Sequence, residues 1–244
     1  MWFKNSKSGR NVYILLDRSG SMSTNWQETL GSINGYVEKL EDDVNVYLAA
    51  FDSCGGEDYQ VLRETTSKEW RLITNEEVSA RGSTPLYDAA AKIMNKMLSD
   101  NPQKAVLVVM TDGQENCSKE YRLDAVKAKL KEIEKKEWPA VFLGADFSQV
   151  VSYTTTTFGV SSSNAFNTTS AMRGTAMNMM AGKTSTYFTA DLGTQASAES
   201  MQWSDEEKKL VGGDDSTTIK VNVTKTNTSG SNVRDFVKDT TGHA

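Results

Sequence analysis

Three oxygen-bearing side chains follow directly after an apolar run near the start of the chain. Residues 12–16 are Val, Tyr, Ile, Leu and Leu, and Asp17, Ser19 and Ser21 come next at alternate positions. Such a run is typical of a central parallel strand that is covered on both faces. In open α/β sheets, ligands bind outside the carboxyl ends of the strands. One carboxylate and two hydroxyls at such an end therefore predict a site for a hard cation, which prefers oxygen ligands.

Two further oxygen ligands are expected at the same end of the sheet. Thr84 precedes a predicted helix, and Asp112 follows a second apolar run at 104–111. Strand crossovers bring such loops together, so two carboxylates and three hydroxyls would surround one position. This set suits Mg²⁺ or Mn²⁺ and not zinc, and it leaves a position open for a partner's carboxylate. As structural alternatives, the Asp-x-Ser-x-Ser segment fits a simple turn and Thr84 fits a helix N-cap.

The composition argues against several other kinds of function. The chain has 244 residues, a net charge of −5 and no block of basic residues, which argues against nucleic-acid binding. Its apolar runs are too short for a membrane span, and the expectation is a soluble cytoplasmic protein. The single histidine, His243, is the penultimate residue. Ser-His-Asp catalysis, Cys-His catalysis and most zinc hydrolase designs are therefore not expected in the body of the chain.

The order of the apolar segments predicts the fold class. Strand and helix patterns alternate, which indicates a doubly wound, Rossmann-like α/β sheet that is mostly parallel. Six strands are expected, with an antiparallel strand at the edge, and they lie at 12–17, 44–51, 59–65, 104–111, 140–145 and 165–168. The predicted helices lie at 26–40, 86–98, 119–138, 147–160, 170–187 and 204–210.

The composition also divides the chain into three parts. Residues 1–10 form a polar lead-in, residues 11–190 form the predicted domain, and residues 191–244 form an irregular extension rich in Ser and Thr. The extension is expected to be partly disordered or to dock on a partner. Within it, residues 217–224 alternate like an exposed strand and could add to a neighbouring sheet.

Three motifs in the chain resemble those of a known family. DRSGSM at 17–22, GSTPLYDA at 82–89 and TDG at 111–113 are similar to the three parts of the metal-ion-dependent adhesion site (MIDAS) of a von Willebrand factor A domain. The resemblance covers residues 10–190 and is closest to the stand-alone cytoplasmic A domains of bacteria and their phages. It implies a bound Mg²⁺ or Mn²⁺ and a protein-binding function.

The resemblance also implies a role for each matching residue. The two serines of the first motif would coordinate the metal directly, and its aspartate would do so directly or through water. The second motif would contribute its threonine and the third its aspartate. The implied metal ligands are Asp17, Ser19, Ser21, Thr84 and Asp112.

The leading hypothesis is a non-enzymatic, Mg²⁺-dependent protein-binding module that captures an Asp or Glu of a partner. Side chains around the metal would set specificity, and the predicted rim residues are Trp26, Glu57, Arg81 and Gln114. Glu115 and Asp146 are predicted to be solvated charges near the same rim. Asp88 is predicted to be a charge in the first turn of its helix, favoured by the helix dipole.

Two other function classes remain as hypotheses. The chain could be a structural component of a phage particle or another large assembly, docked through the extension from residue 191 and located in the virion. A metal-dependent hydrolase is the third hypothesis, although the sequence shows no general base apart from the metal ligands. Stand-alone A domains often work with an AAA+ ATPase, which is a possible partner, whereas no membrane or nucleic-acid partner is expected.

Overall fold

A six-stranded sheet organises residues 9–53 and 58–212, which are the residues that a computed structural model describes. Its strands are β1 (Arg10–Asp17), β2 (Asn45–Phe51), β3 (Tyr59–Thr66), β4 (Lys104–Thr111), β5 (Ala140–Ala145) and β6 (Ala165–Thr168). They lie in the order β3-β2-β1-β4-β5-β6. The strand β3 is antiparallel to β2, and the other neighbours are parallel. The predicted mostly parallel sheet with an antiparallel edge strand is confirmed.

Helices cover both faces of this sheet. They are α1 (Trp26–Glu38), α2 (Leu86–Asp100), α3 (Leu123–Glu134), α4 (Val150–Phe158), α5 (Ser170–Thr189), α6 (Gln195–Glu199) and α7 (Asp205–Gly212). Alternate side chains of β1 enter two different apolar cores: Ile14 packs in the core that contains α1 and α5, and Leu15 packs in the core of α2 and α3. Burial on both faces explains why this strand is an unbroken apolar run.

The connections of the sheet place two loops side by side. The strand β1 lies between β2 and β4, so the chain leaves β1 towards one side and later returns on the other side. The loops after β1 and β4 therefore leave the same end of adjacent parallel strands. This is the switch point of a doubly wound sheet, where ligands bind.

A long-range interaction shortens one of the predicted helices. The sequence pattern predicts a helix at 119–138, but α3 begins only at Leu123. The buried carboxylate of Asp88 accepts hydrogen bonds from the backbone N–H groups of Lys119 (2.7 Å), Glu120 (3.0 Å) and Tyr121 (2.6 Å). Since these amides are held by Asp88, the segment before α3 stays a loop. Asp88 lies in the first turn of α2, as predicted, and in addition it is a buried acceptor for the loop before α3.

Residues 191–212 pack against the sheet, although the composition placed the end of the domain at residue 190. Met201, Trp203 and Val211 are buried in the same core as α1 and α5. The indole of Trp203 stacks on Phe166 of β6, with the ring centroids 3.9 Å apart. These few apolar side chains stand among polar residues, so their role as anchors is not visible in the composition.

Some sequence predictions fall outside the described residues. These are the polar lead-in at 1–8, the rim residue Glu57, the strand pattern at 217–224 and His243. In the described part of the chain, no helix combines the length and the apolar character that crossing a membrane requires.

Candidate metal centre

The loops after β1 and β4 bring predicted ligands into direct contact. Ser21 donates a hydrogen bond from Oγ to Oδ1 of Asp112 over 2.7 Å. The hydroxyl oxygens of Ser19 and Ser21 are 3.1 Å apart. The Ser21 hydroxyl therefore lies within hydrogen-bond distance of both the Ser19 hydroxyl and the Asp112 carboxylate, which belong to two different loops. Such spacing is compatible with oxygen ligands around one hard cation.

Asp17 is fully buried at the end of β1 and is held by two donors. Its Oδ1 accepts the backbone N–H of Ser19 at 2.7 Å, and its Oδ2 accepts the hydroxyl of Thr111 at 2.6 Å. Burial raises the pKa of Asp17 to about 6, although both hydrogen bonds oppose the shift. Thr111 orients this carboxylate, and the sequence analysis did not assign it a role. Its position as the last residue of β4 is the signal that could have identified it.

Asp112 is half-buried in the loop that follows β4. Desolvation raises the pKa of its carboxyl group, and the hydrogen bond from Ser21 opposes this shift. The charge of Asp146 raises the pKa of Asp112 further and that of Arg173 lowers it, while the charge of Asp112 in turn raises the pKa of Asp17. Two desolvated carboxylates at one end of the sheet are costly unless a positive charge or further donors compensate them.

The donor set fits a hard divalent cation only if the hydroxyls take part. Among residues 9–53 and 58–212, no three His, Cys, Asp or Glu side chains are grouped so that they could hold a metal. Two carboxylates with neutral hydroxyls are a suitable set for Mg²⁺ or Mn²⁺, which accept oxygen ligands and retain water. The residues that would hold the metal are Asp17, Ser19, Ser21, Thr84 and Asp112.

Thr84 lies next to the other loops and is buried. Its backbone N–H donates to Oδ1 of Asn116 at 2.9 Å, and its carbonyl accepts the N–H of Asn116 at 3.2 Å. A Cβ placed on Gly113 would lie 4.0 Å from the Thr84 hydroxyl oxygen, so that hydroxyl is adjacent to the loop after β4. The helix α2 begins at Leu86, with Pro85 at its N-cap position and no side-chain cap. The predicted N-cap role of Thr84 is therefore wrong.

The backbone also joins the first and second loops. The N–H of Gly20 donates to the carbonyl of Gly82 at 3.0 Å, and the N–H of Arg81 donates to the carbonyl of Arg18 at 2.6 Å. Gly82 has a positive φ of 72°, which a residue with a side chain rarely adopts. These two bonds hold the segment that contains Thr84 next to the loop that contains Ser19 and Ser21.

The predicted rim residues lie in different places. Gln114 is exposed, and Arg81 is exposed and forms an ion pair with the buried Asp52 at 2.6 Å. Trp26 is buried, and its indole N–H donates to the carbonyl of Val78 at 2.8 Å. Trp26 is thus a core residue, and its prediction as a rim contact is wrong. The prediction for Glu57 is not tested, since that residue lies outside the described ranges.

Glu115 is a structural acceptor and not the solvated charge that the sequence suggested. Its carboxylate accepts the backbone N–H groups of Tyr87 (2.9 Å), Cys117 (2.7 Å) and Ser118 (2.6 Å). The first of these amides belongs to α2 and the other two to the loop after β4. Glu115 therefore holds the Asp112 loop against the helix that follows Thr84.

A buried arginine lies next to the loops that carry Ser21 and Asp112. Arg173 of α5 is 1% exposed and binds Asp146 at 2.7 Å, the hydroxyl of Thr29 at 2.9 Å and the carbonyl of Asn25 at 3.2 Å. Arg173 and Asp146 line a cavity of about 240 Å³ together with Ser21 and Asp112. Asp146 is exposed, as predicted for a charge near the rim, and its ion pair with Arg173 is an additional contact that the sequence did not indicate. Arg173 could not be identified from the sequence, because one arginine in a Met-rich helix looks like a surface residue.

Comparisons with known proteins identify the fold. No curated protein sequence is detectably similar to the chain. Among solved structures, the von Willebrand factor domain of the type V pili tip protein Mfa5 from Porphyromonas gingivalis matches with a TM-score of 0.59 and 10% identity, over 75% of this chain and 97% of that one. The open conformation of the pilus adhesin SpaC from Lactobacillus rhamnosus GG matches with a TM-score of 0.57 and 13% identity, over 73% of this chain and 30% of that one.

An archaeal relative gives the same result. The ArnB paralog VWA2 from Sulfolobus acidocaldarius matches with a TM-score of 0.51 and 17% identity, over 72% of this chain and 46% of that one. The chain thus spans less than half the length of this protein and of SpaC. Identities this low show a shared fold. The model of the von Willebrand factor type A domain matches residues 11–202, which is most of the sequence. The chain therefore belongs to the von Willebrand factor type A domain family, whose members are protein-interaction and adhesion modules.

Proposed function

We propose that the chain is a non-enzymatic, Mg²⁺- or Mn²⁺-dependent protein-binding module with an intact MIDAS. The proposal rests above all on the contact between Ser21 and Asp112, which unites the loops after β1 and β4 at 2.7 Å. A carboxylate from an Asp or Glu of the partner would complete the coordination of the metal. When bound, the metal would supply the positive charge that attracts this carboxylate.

The charge balance of the centre favours a carboxylate as the partner group. Asp17 and Asp112 carry two negative charges in total, which match the two positive charges of the cation. Since the other proposed ligands are neutral hydroxyls, the metal stays electrophilic towards an additional anionic oxygen. The exposed side chains of Arg81 and Gln114 stand near the loops and would contribute to specificity.

The titratable groups also support a binding role over a hydrolytic one. In the described part of the centre, the acidic groups next to the site are the proposed ligands or are engaged in structural bonds, as Glu115 and Asp146 are. A hydrolase would need a further general base within reach of a water molecule. We therefore propose a protein partner, such as an AAA+ ATPase, for a stand-alone domain of the bacterial or phage type that works in the cytoplasm.

A pull-down from the lysate of the source cells tests this function. The wild-type chain is used with Mg²⁺ and with EDTA, beside Asp112→Ala and the matched control Asp124→Ala, which changes an exposed aspartate on α3. We expect one partner to be retained by the wild type and by Asp124→Ala in Mg²⁺ only. A partner retained equally by Asp112→Ala or in EDTA would contradict a metal-bridged contact. Phosphatase or nuclease activity lost in Asp112→Ala would favour the hydrolase.

A role as a component of a phage particle or another large assembly is the second candidate. One observation favours it: the sheet has an open edge at β3, whereas the chain continues past Gly212 beside the opposite edge. In this function the virion would be the location of the protein. Assembly and metal-dependent binding are compatible, because they use different surfaces.

A further inference from the structure

The two edges of the sheet differ in how they are covered. Beside β6, the N–H of Trp203 donates to the carbonyl of Ser163 at 2.8 Å, and the carbonyl of Val211 accepts the N–H of Thr169 at 3.4 Å. The ring of Trp203 also stacks on Phe166. The segment that includes α7 therefore closes the β6 edge, and it blocks pairing of a further strand there.

The β3 edge is open in the described part of the chain. The strand is eight residues long and pairs with β2 on one side. Among the described residues, the backbone of residues 60–65 forms backbone-to-backbone hydrogen bonds with β2 and with no other segment. Val61 on this strand is 45% exposed, and next to it the carbonyl of Leu62 accepts a side-chain hydrogen bond from Arg63 at 2.8 Å, not one from a further strand. An edge of this kind is a template for pairing with another strand.

The chain itself supplies a suitable strand after the described residues. Residues 217–224 read TTIKVNVT, in which Ile219, Val221 and Val223 alternate with polar residues. This period-two pattern is typical of a strand with one apolar and one polar face. An apolar face of this kind would cover Val61 if the segment paired with β3.

Geometry excludes pairing between this segment and β3 of the same molecule. The last described residue, Gly212, lies beside β6, because a Cβ placed on it would be 3.2 Å from the carbonyl oxygen of Asn167. The strand β3 is five strand spacings away from β6, which is about 24 Å at ~4.8 Å each. The chain from Gly212 to residue 217 spans at most roughly 17 Å when fully extended. A strand at 217–224 that pairs with β3 therefore comes from another molecule.

We propose that residues 217–224 of one molecule add as an edge strand to β3 of a second copy of this chain. Backbone hydrogen bonds give such an added strand its affinity, and alternate side chains give it specificity. The donor and acceptor surfaces lie at opposite edges of the sheet, so the contact is head-to-tail. Repetition of a head-to-tail contact produces a ring when it closes and a filament when it does not. The proposal is independent of the metal centre.

Sedimentation velocity of the full-length chain over a range of concentrations tests this assembly. A donor-defective variant combines Ile219→Asp with Val221→Asp, and an acceptor-defective variant carries Val61→Lys. The matched control Leu192→Lys introduces the same charge at another exposed apolar residue, which is 39% exposed and lies away from β3. Asp112→Ala separates the assembly from the metal-dependent function.

We expect the wild type, Leu192→Lys and Asp112→Ala to form rings or filaments, which sediment faster than the monomer. The donor-defective and acceptor-defective variants should each remain monomeric. Their equimolar mixture should form a dimer of one molecule of each, because one intact donor and one intact acceptor remain and the chain cannot grow further. A monomeric wild type would overturn the proposal. Unchanged assembly of either defective variant, or a mixture that stays monomeric, would overturn it as well.

Discussion

Asp17 is a buried carboxylate whose charge is only partly compensated by the groups around it. Its two donors, the N–H of Ser19 and the hydroxyl of Thr111, are both neutral. Neutral donors offset only part of the cost of moving a charge out of water, and the raised pKa of Asp17 reports the remainder. The same charge that destabilises the metal-free fold becomes favourable beside a divalent cation.

This balance predicts opposite effects of Asp17→Asn with and without metal. The ordinary pKa of 3.8 rises to about 6 in the metal-free fold, so the folded state binds the additional proton between these values. The free energy of unfolding in EDTA should therefore fall as the pH rises from 4 to 6, by about 3 kcal/mol at most. Asp17→Asn should remove this fall, be more stable than the wild type in EDTA at neutral pH, and lose stabilisation by Mg²⁺.

Urea unfolding at several pH values, in EDTA and in Mg²⁺, measures both effects. Asp124→Asn, on the exposed surface of α3, is the control and should follow the wild type in each condition. Stability in EDTA that rises between pH 4 and 6 would show that Asp17 is stabilised as a carboxylate without any cation.

At the scale of elements, α5 is connected to the metal centre through the pair of Arg173 and Asp146. The two partners differ in environment, since the side chain of Arg173 is 1% exposed and that of Asp146 is 39% exposed. Loss of the aspartate removes the carboxylate that bonds directly to the buried guanidinium, so that among the described residues only the more distant charges of Glu28 and Asp112 act on it, whereas loss of the arginine leaves a carboxylate that water can solvate. Burial already lowers the pKa of Arg173, which shows the cost of its charge.

We therefore predict that Asp146→Ala destabilises the fold more than Arg173→Met does. The first change should cost about 3 kcal/mol, as expected when a buried charge loses its partner. The second should cost less, because methionine fills much of the space and Asp146 gains access to water. Free energies of unfolding in urea give the comparison, and the reverse order would show that the carboxylate is not what stabilises Arg173.

The sequence predictions were accurate for elements that local sequence defines, and they failed where residues distant in the chain decide the structure. The strands at 104–111, 140–145 and 165–168 were predicted with the bounds that the structure has, and the first two are buried strands with nearly continuous apolar sequences. The start of α3 was missed because Asp88, far away in the sequence, holds the preceding amides. Trp26 was misplaced for the same reason, since its partner Val78 belongs to a distant loop.

The sequence predicted that the candidate ligands lie together, but it did not predict the residues that position them. Asp17, Ser19 and Ser21 stand at a strand end, where residue type and spacing indicate a function. Thr111 and Arg173 act through hydrogen bonds that join separate segments, and neither residue type nor spacing identifies such partners. The sequence thus predicts that the loops after β1 and β4 meet, but not which side chains position their carboxylates.

At the scale of the whole molecule, residues 191–212 complete the fold beside β6. Trp203 and Val211 are buried in the core, and Trp203 covers Phe166. The family match also extends beyond residue 190, to residue 202. The sheet therefore depends on a segment whose composition resembles that of a polar extension.

Replacement of one anchor tests this dependence. We predict that Trp203→Ala lowers the free energy of unfolding by about 3 to 5 kcal/mol, since it leaves a large cavity over β6. Leu210→Ala, which removes a side chain that is 56% exposed on α7, is the matched control and should cost much less. Thermal and urea unfolding give both values, and equal effects of the two changes would show that the segment is not part of the cooperative core.

Binding of Mg²⁺ to the purified full-length chain, measured by isothermal titration calorimetry, tests the central claim most directly. Ser21→Ala removes a hydroxyl that contacts Asp112, and Ser23→Ala removes an exposed hydroxyl two residues away as the control. We expect one Mg²⁺ per chain for the wild type and for Ser23→Ala, with affinity at least 10-fold weaker for Ser21→Ala. A wild-type chain that binds no Mg²⁺ or Mn²⁺, or equal affinity in the two serine variants, would contradict this claim.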